Sequence, residues 1–142
     1  MNSLTFDLIK TDGRARLGTL MTAHGPLDTP AFMPVATYGA VRGISASDLR
    51  DLGAQITLAN TYHLHERPGE ERIRGLGGLH GFTGWNGPWL TDSGGFQVTS
   101  LASRVEISER GVVFQSPLDG RRRELTPERA IKIQEALGSD VA

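Results

Sequence analysis

Apolar residues in this chain come in short bursts, separated by turn-forming residues, and not in long stripes. Residues 4–35 predict short strands with turns at "TDGRAR" and "AHGPLDTP". The wholly apolar "PAFMPV" (30–35) predicts a strand ending near Pro34, because proline cannot donate to a ladder. In "SASDLRDLGA", Ser45 can cap a short helix, Asp48 suits its first turn and Gly53 can close it. "QITLAN" (55–60) predicts a second apolar strand. A glycine-rich excursion with a short helix near 69–74 follows, and "PWLTD" (88–92) predicts a third strand. This β–α–β rhythm of apolar strands argues for an α/β fold with a parallel sheet covered by helices.

Polar and apolar residues alternate more from Val105 to Leu125, around the turn "LDGR", which predicts inserted antiparallel strands. "TPERAIKIQEALG" (126–138) is the clearest helix: Thr126 caps it, Pro127 suits its first position, and Gly138 stops it. Ala130, Ile133 and Leu137 share its apolar face. "SDVA" then opens a further element. The chain carries no repeat, linker or low-complexity segment.

Composition narrows the function classes. A chain of 142 residues suits one modest domain, and its 38% apolar and 22% charged content is ordinary for a soluble protein. A formal net charge of −1 exerts no global pull on polyanions, so a nucleic-acid contact has to be local. With no cysteine, neither a disulfide framework nor a thiolate-ligated metal can be built from these residues. The start "MNSLTFDLIK" lacks a signal-peptide core and no apolar run approaches spanning length, so a cytoplasmic protein without membrane contact is expected. The 18 glycines, many paired or beside proline, imply tight turns and close backbone approaches.

The densest chemistry lies in "WLTDSGGFQV" (89–98). Asp92 follows an apolar strand, and ligand sites of parallel α/β architectures gather beyond such strand ends. A carboxylate there can move protons or accept from a ring N–H. Gly94 and Gly95 let backbone amides approach a flat ligand, and Phe96 offers a stacking face. The competing reading is an Asx-turn in which Asp92 only satisfies backbone amides. A phosphate cradle is disfavoured, since Walker-type spacing and a lysine are missing and Asp92 repels phosphate. Ser93 lacks the glycine-flanked pattern of a nucleophile elbow.

Asn60 and Thr61, in "ANTYHL" (59–64), could orient Asp92 from the neighbouring strand end. His63 reads as a proton shuttle or as a satisfied structural histidine. His24, His63, His65 and His80 lack helical metal-ligand spacing, so no metal ligand is assigned among them. Arg121, Arg122 and Arg123 could touch phosphates or be solvated charge on a hairpin.

The motifs "TPAFMPVAT", "LANTYHL", "RPGEERI", "GGLHGF", "LTDSGGFQV", "SPLDG", "LTPERAIKIQ" and "LGSD" together closely resemble the tRNA-guanine transglycosylase (queuine tRNA-ribosyltransferase) family, in order, from about Phe6 to Ala142. The resemblance implies the N-terminal part of a (β/α)₈ TIM-type barrel, with an antiparallel sheet at its start and an inserted antiparallel hairpin region. Residues 1–142 then hold about three barrel strands of one partial domain. It implies exchange of guanine at the anticodon wobble position of tRNA for a 7-deazaguanine base, through a covalent tRNA intermediate on a nucleophilic aspartate. Asp92 matches the general acid/base that deprotonates the incoming base. Ser93, Gly94 and Gly95 match the base-binding turn, Phe96 the stacking aromatic, and Val35 and Leu58 the pocket lining near the ribose.

The resemblance also implies a homodimer and a structural zinc whose ligands match regions beyond Ala142, as do the nucleophile and a second base-recognising aspartate. The fragment is therefore expected to be inactive alone. Ala36 stands where glycine is common, His65-Glu66 replaces a more apolar pair, and Pro117 stands where many members have histidine. The alternatives are an archaeosine-type transglycosylase and a non-catalytic partner subunit or remnant that binds protein or tRNA. The intact Asp92 turn favours the enzyme.

Overall fold

The computed structural model describes residues 4–101 and 103–142. The N-terminal turns fold β1 (Thr5–Asp12), β2 (Ala15–Thr22) and β3 (Gly25–Thr29) into an antiparallel sheet of order β1-β2-β3. β1 is exposed along its whole length, so this sheet contributes little to the core; Leu27 on β3 is its buried anchor.

The expected strand at 30–35 shrinks to a single parallel bridge between Val35 and Leu58. Prolines at 30 and 34 remove two ladder donors, and the contact survives through Leu58 N–H on the Pro34 carbonyl (3.0 Å) and Ala36 N–H on the Leu58 carbonyl (2.7 Å). α1 (Ala46–Asp51) starts as the sequence predicts, with a reciprocal capping box between Ser45 and Asp48. It leads into β4 (Thr57–Ala59), which pairs in parallel with β5 (Trp89–Thr91). Leu90 makes a further parallel bridge to Val141, so "SDVA" does open a fourth parallel segment.

Side-chain alternation on these strands defines two faces. Thr57, Ala59, Trp89 and Thr91 are buried beneath helices, whereas Leu58 and Leu90 are only half-buried on the opposite face. Between β4 and β5 lie α2 (Thr61–Glu66), α3 (Glu70–Gly75) and α4 (Gly78–Thr83), and α5 (Gly95–Leu101) follows β5. Only α3 was readable from the pattern.

The inserted region forms β6 (Ser103–Ser108), β7 (Gly111–Gln115) and β8 (Arg122–Leu125), an antiparallel sheet of order β6-β7-β8 as expected. α6 (Pro127–Leu137) has the predicted ends: Thr126 accepts from Arg129 N–H, and Gly138 takes the left-handed conformation (φ 75°). Its face of Ala130, Ile133 and Leu137 is buried in one cluster with Ile73, Leu79 and Trp89. A fully buried Ile133 alone contributes about 1.5–3 kcal/mol of hydrophobic stabilisation. Mixed α/β architecture with both parallel and antiparallel pairing is thus in place.

Candidate active site

Three positions line up where the parallel segments end. Ala36, Asn60 and Asp92 each follow the last paired residue of their segment, and Asp92 N–H reaches the Ala59 carbonyl at 3.4 Å. Asn60 leaves β4 and becomes the N-cap of α2: its Oδ1 accepts from His63 N–H at 3.1 Å. Its other side-chain atom, Nδ2, is left free to donate to Asp92 Oδ2 at 2.6 Å. Thr61 N–H donates to Asp92 Oδ1 at 2.9 Å, and Gly94 N–H donates to the same oxygen at 3.1 Å. The Gly94 bond is the Asx-turn that competed with a functional role. It coexists with the two cross-strand donors, so three donors orient one carboxylate. Two carboxylate oxygens offer about four acceptor sites, leaving about one for a ligand or a proton.

Gly94 is required here by packing. Its φ is +75°, and a Cβ would sit 2.8 Å from Tyr62 N, the backbone of α2. Helix α2 thus rests directly on the Asp-Ser-Gly-Gly turn. The Gly95 amide donates to Ser93 Oγ at 3.3 Å. Phe96, on the first turn of α5, is 77% exposed and packs into no core. Val35, 58% exposed, sits beside Leu58 on the same rim through their bridge. The seven residues singled out from the sequence therefore fall on adjoining strand ends and on one turn.

Sequence reasoning missed how completely Asn60 is committed, although an Asn after an apolar strand and before "TYHL" is a readable N-cap signal. It also left out Gln97, whose buried Oε1 has no hydrogen-bond partner among the described residues. Tyr62 carries a buried hydroxyl without a partner among the described residues. Burial, helped by Glu66 and Tyr38 and opposed by Arg123, pushes its phenol pKa up. His63 packs its ring against Tyr38 (5.1 Å between centroids) and Tyr62 (5.3 Å). Arg121 and Arg122 are exposed, with Asp119 and Glu106 beside them, whereas Arg123 turns inward to Glu66.

One histidine cluster was invisible to spacing. His24 Nδ1 lies 2.8 Å from Asp140 Oδ1 across 116 residues, and His80 Nε2 lies 3.4 Å from Asp140 Oδ2. The three ligand atoms lie within 4.8 Å of one another. They do not fit a zinc ion. The two rings stack with centroids 3.4 Å apart and planes 19° apart, so no ion can sit in both ring planes. His80 Nε2 also lies 3.1 Å from the Gly87 carbonyl, so it faces acceptors on two sides and carries a proton there. The cluster is a hydrogen-bonded clasp between the β2–β3 turn, α4 and the segment after α6. Among the described residues, no helix is long and apolar enough to cross a membrane.

Residues 11–142 match the family model described as queuine tRNA-ribosyltransferase. The chain belongs to the queuine tRNA-ribosyltransferase family. It is 60% identical over 141 residues to a queuine tRNA-ribosyltransferase of Thermus thermophilus, covering 99% of this chain and 37% of the relative. The corresponding enzyme of Deinococcus radiodurans is 58% identical over 136 residues, 96% of this chain and 34% of its own length. That of a Synechococcus species is 60% identical over 128 residues, 90% of this chain and 34% of its own. The chain thus spans little more than a third of the queuine tRNA-ribosyltransferases it matches.

Proposed function

We propose that this chain supplies the base-binding and proton-moving part of a tRNA-guanine transglycosylase, which replaces guanine at the anticodon wobble position with a 7-deazaguanine base. One observation carries the reading: Asp92 stands at a strand end with its orientation fixed by Asn60, Thr61 and Gly94, beside an exposed aromatic ring, in a chain of this family.

A flat base stacked on Phe96 reaches Ser93 and the Gly95 amide with its polar edge. Asp92 gives a proton to the ring nitrogen of guanine as that base leaves the ribose for the nucleophile, and regains one from the ring N–H of the incoming base as that nitrogen displaces the nucleophile. Val35 and Leu58 line the ribose side. The nucleophile and the structural zinc belong to the remainder of the enzyme; the clasp histidines do not fit the metal, and no step here runs through it.

The parallel segments around β4 and β5 are read as the first strands of a (β/α)₈ barrel, whose catalytic face lies at the C-terminal strand ends. The half-buried face with Leu58 and Leu90 then points into the barrel. The working assembly is a cytoplasmic homodimer acting on tRNA.

The test joins these 142 residues to the remaining part of the Thermus thermophilus relative and measures radiolabelled guanine incorporation into tRNA. Incorporation lost on Asp92→Asn is the expected result. An inactive chimaera, beside an active control carrying the Thermus segment, would reject the enzyme reading in favour of a non-catalytic relative.

A further inference from the structure

Glu66 is the last residue of α2, where a carboxylate meets the negative end of the helix dipole. Its side chain is nevertheless only 3% exposed. Its partners come from the inserted sheet. The hydroxyl of buried Ser116, just past β7, donates to Oε2. Arg123 on β8 brings Nε to 2.9 Å from Oε1, an ion pair whose N–H is not aligned as a hydrogen bond. A second node sits alongside. Glu70, 5% exposed at the start of α3, receives His65 Nδ1 at 2.7 Å and Arg129 of α6. The last two residues of α2 are thus bolted to two later elements.

The other end of α2 holds the proton carrier. Asn60 and Thr61 donate to Asp92, and the Tyr62 backbone presses on Gly94. Six helical residues span about 9 Å, too short a rod to bend between its ends. Tyr62 also packs on Phe114 of β7, with ring centroids 5.8 Å apart, so helix and inserted sheet share one interface. A buried ion pair adds little net stability, because desolvation offsets its attraction, and its best-attested use is to fix register.

We propose that Glu66, through Arg123 and Ser116, is a positioning residue for Asp92: the pair seats α2 on the inserted sheet so that Asn60 and Thr61 hold the carboxylate at the base. This rests on the reading of Asp92 as the proton carrier.

The test uses the active chimaera. Glu66→Gln and Arg123→Met each lower kcat about tenfold with KM for guanine unchanged, since sub-ångström misplacement of a reacting group acts on the rate. Arg123→Lys retains the rate. The double variant Glu66→Leu/Arg123→Met recovers the melting temperature but not kcat, whereas a purely structural pair recovers both. Adding Glu66→Gln to Asp92→Asn costs nothing further. The Asn60 side-chain amide resonance, read by NMR, shifts in Glu66→Gln. An unmoved resonance, or rate losses that track melting temperature and add fully to Asp92→Asn, overturns the proposal. A shifted resonance together with a fully active Asp92→Asn would instead remove the proton-carrier reading, and with it the catalytic part of this inference.

Discussion

Two carboxylates stand at opposite ends of β5, one open on one side and the other enclosed. Asp92 follows the C-terminal end and takes three neutral donors: an amide side chain and two backbone N–H groups. Asp140 sits at the N-terminal end, accepting from Trp89 N–H at 2.9 Å and flanked by two histidines, with its side chain 0% exposed. Burial pushes the Asp140 pKa up, and the bonds from His80, Trp89 N–H and His24 outweigh it, holding the group at about 2. A carboxylate wholly enclosed by its donors can only hold structure together. One kept in place on one side, with an acceptor site left open beside an exposed ring, can do chemistry. On the barrel reading proposed above, the Asp92 end is the catalytic end of the strand and the Asp140 end its stabilising end.

The largest expected effect exploits that difference. Asp92→Asn in the active chimaera should lower guanine exchange about 10²–10⁴-fold, because the amide keeps the shape but cannot accept the proton. The melting temperature should also fall, because the new amide nitrogen meets the Asn60 Nδ2 donor, so the rate is compared per folded protein. Near-wild-type incorporation of labelled guanine would remove Asp92 from its role.

At the other end of the strand the outcome reverses. Asp140→Ala should cost about 3 kcal/mol of stability in denaturant unfolding, since it leaves the Trp89 amide and the His24 ring without their acceptor and removes the charge beside His80. Once the variant is folded, its exchange rate should stay close to wild type. A loss of kcat larger than the loss of folded protein would make Asp140 part of the site.

The difference between the two carboxylates also marks what was legible in the sequence. Asp92 and its turn lie within one stretch of ten residues, and the strand, turn and aromatic signals there are local. The capping box at Ser45 and the ends of α6 were readable for the same reason. The clasp was not: His24, His80 and Asp140 meet only through tertiary packing, over a separation that no spacing rule covers. Helices α2, α4 and α5 escaped because six or seven residues are too few to show a 3.6-residue period. The apolar run at 30–35 was overread, since hydrophobicity is blind to the donors that its prolines lack.

A smaller effect tests the open side of Asp92. Phe96→Ala should weaken base binding by about 1–3 kcal/mol, the usual value of base–aromatic stacking, while Phe96→Tyr should be tolerated. KM for the free base reads this directly. With the ring 77% exposed, stability should be untouched. An alanine variant with unchanged KM and kcat would mean that Phe96 meets some other surface.

The smallest effects are those of acid on the enclosed carboxylates. Burial raises the Glu70 pKa, while hydrogen bonds from His65 and its own backbone, with the His65 and Arg129 charges, outweigh it and hold the group at about 2, as for Asp140. A folded pKa below the unfolded one means that the unfolded state binds more protons, so stability rises with pH through that window. The contribution of both groups is complete above about pH 5 and is lost as pH falls toward 2. Melting temperature followed from about pH 5.5 to about 2.5 should therefore drop, and in Glu70→Gln it should start lower but fall less steeply. His24→Gln is the mildest perturbation: His24 is 40% exposed, and Asp140 keeps Trp89 N–H and His80 without it. Its cost should stay below about 1 kcal/mol, as for other solvent-exposed pairs. A cost of several kcal/mol would place the strength of the clasp in the β2–β3 turn, not in the bond to Trp89.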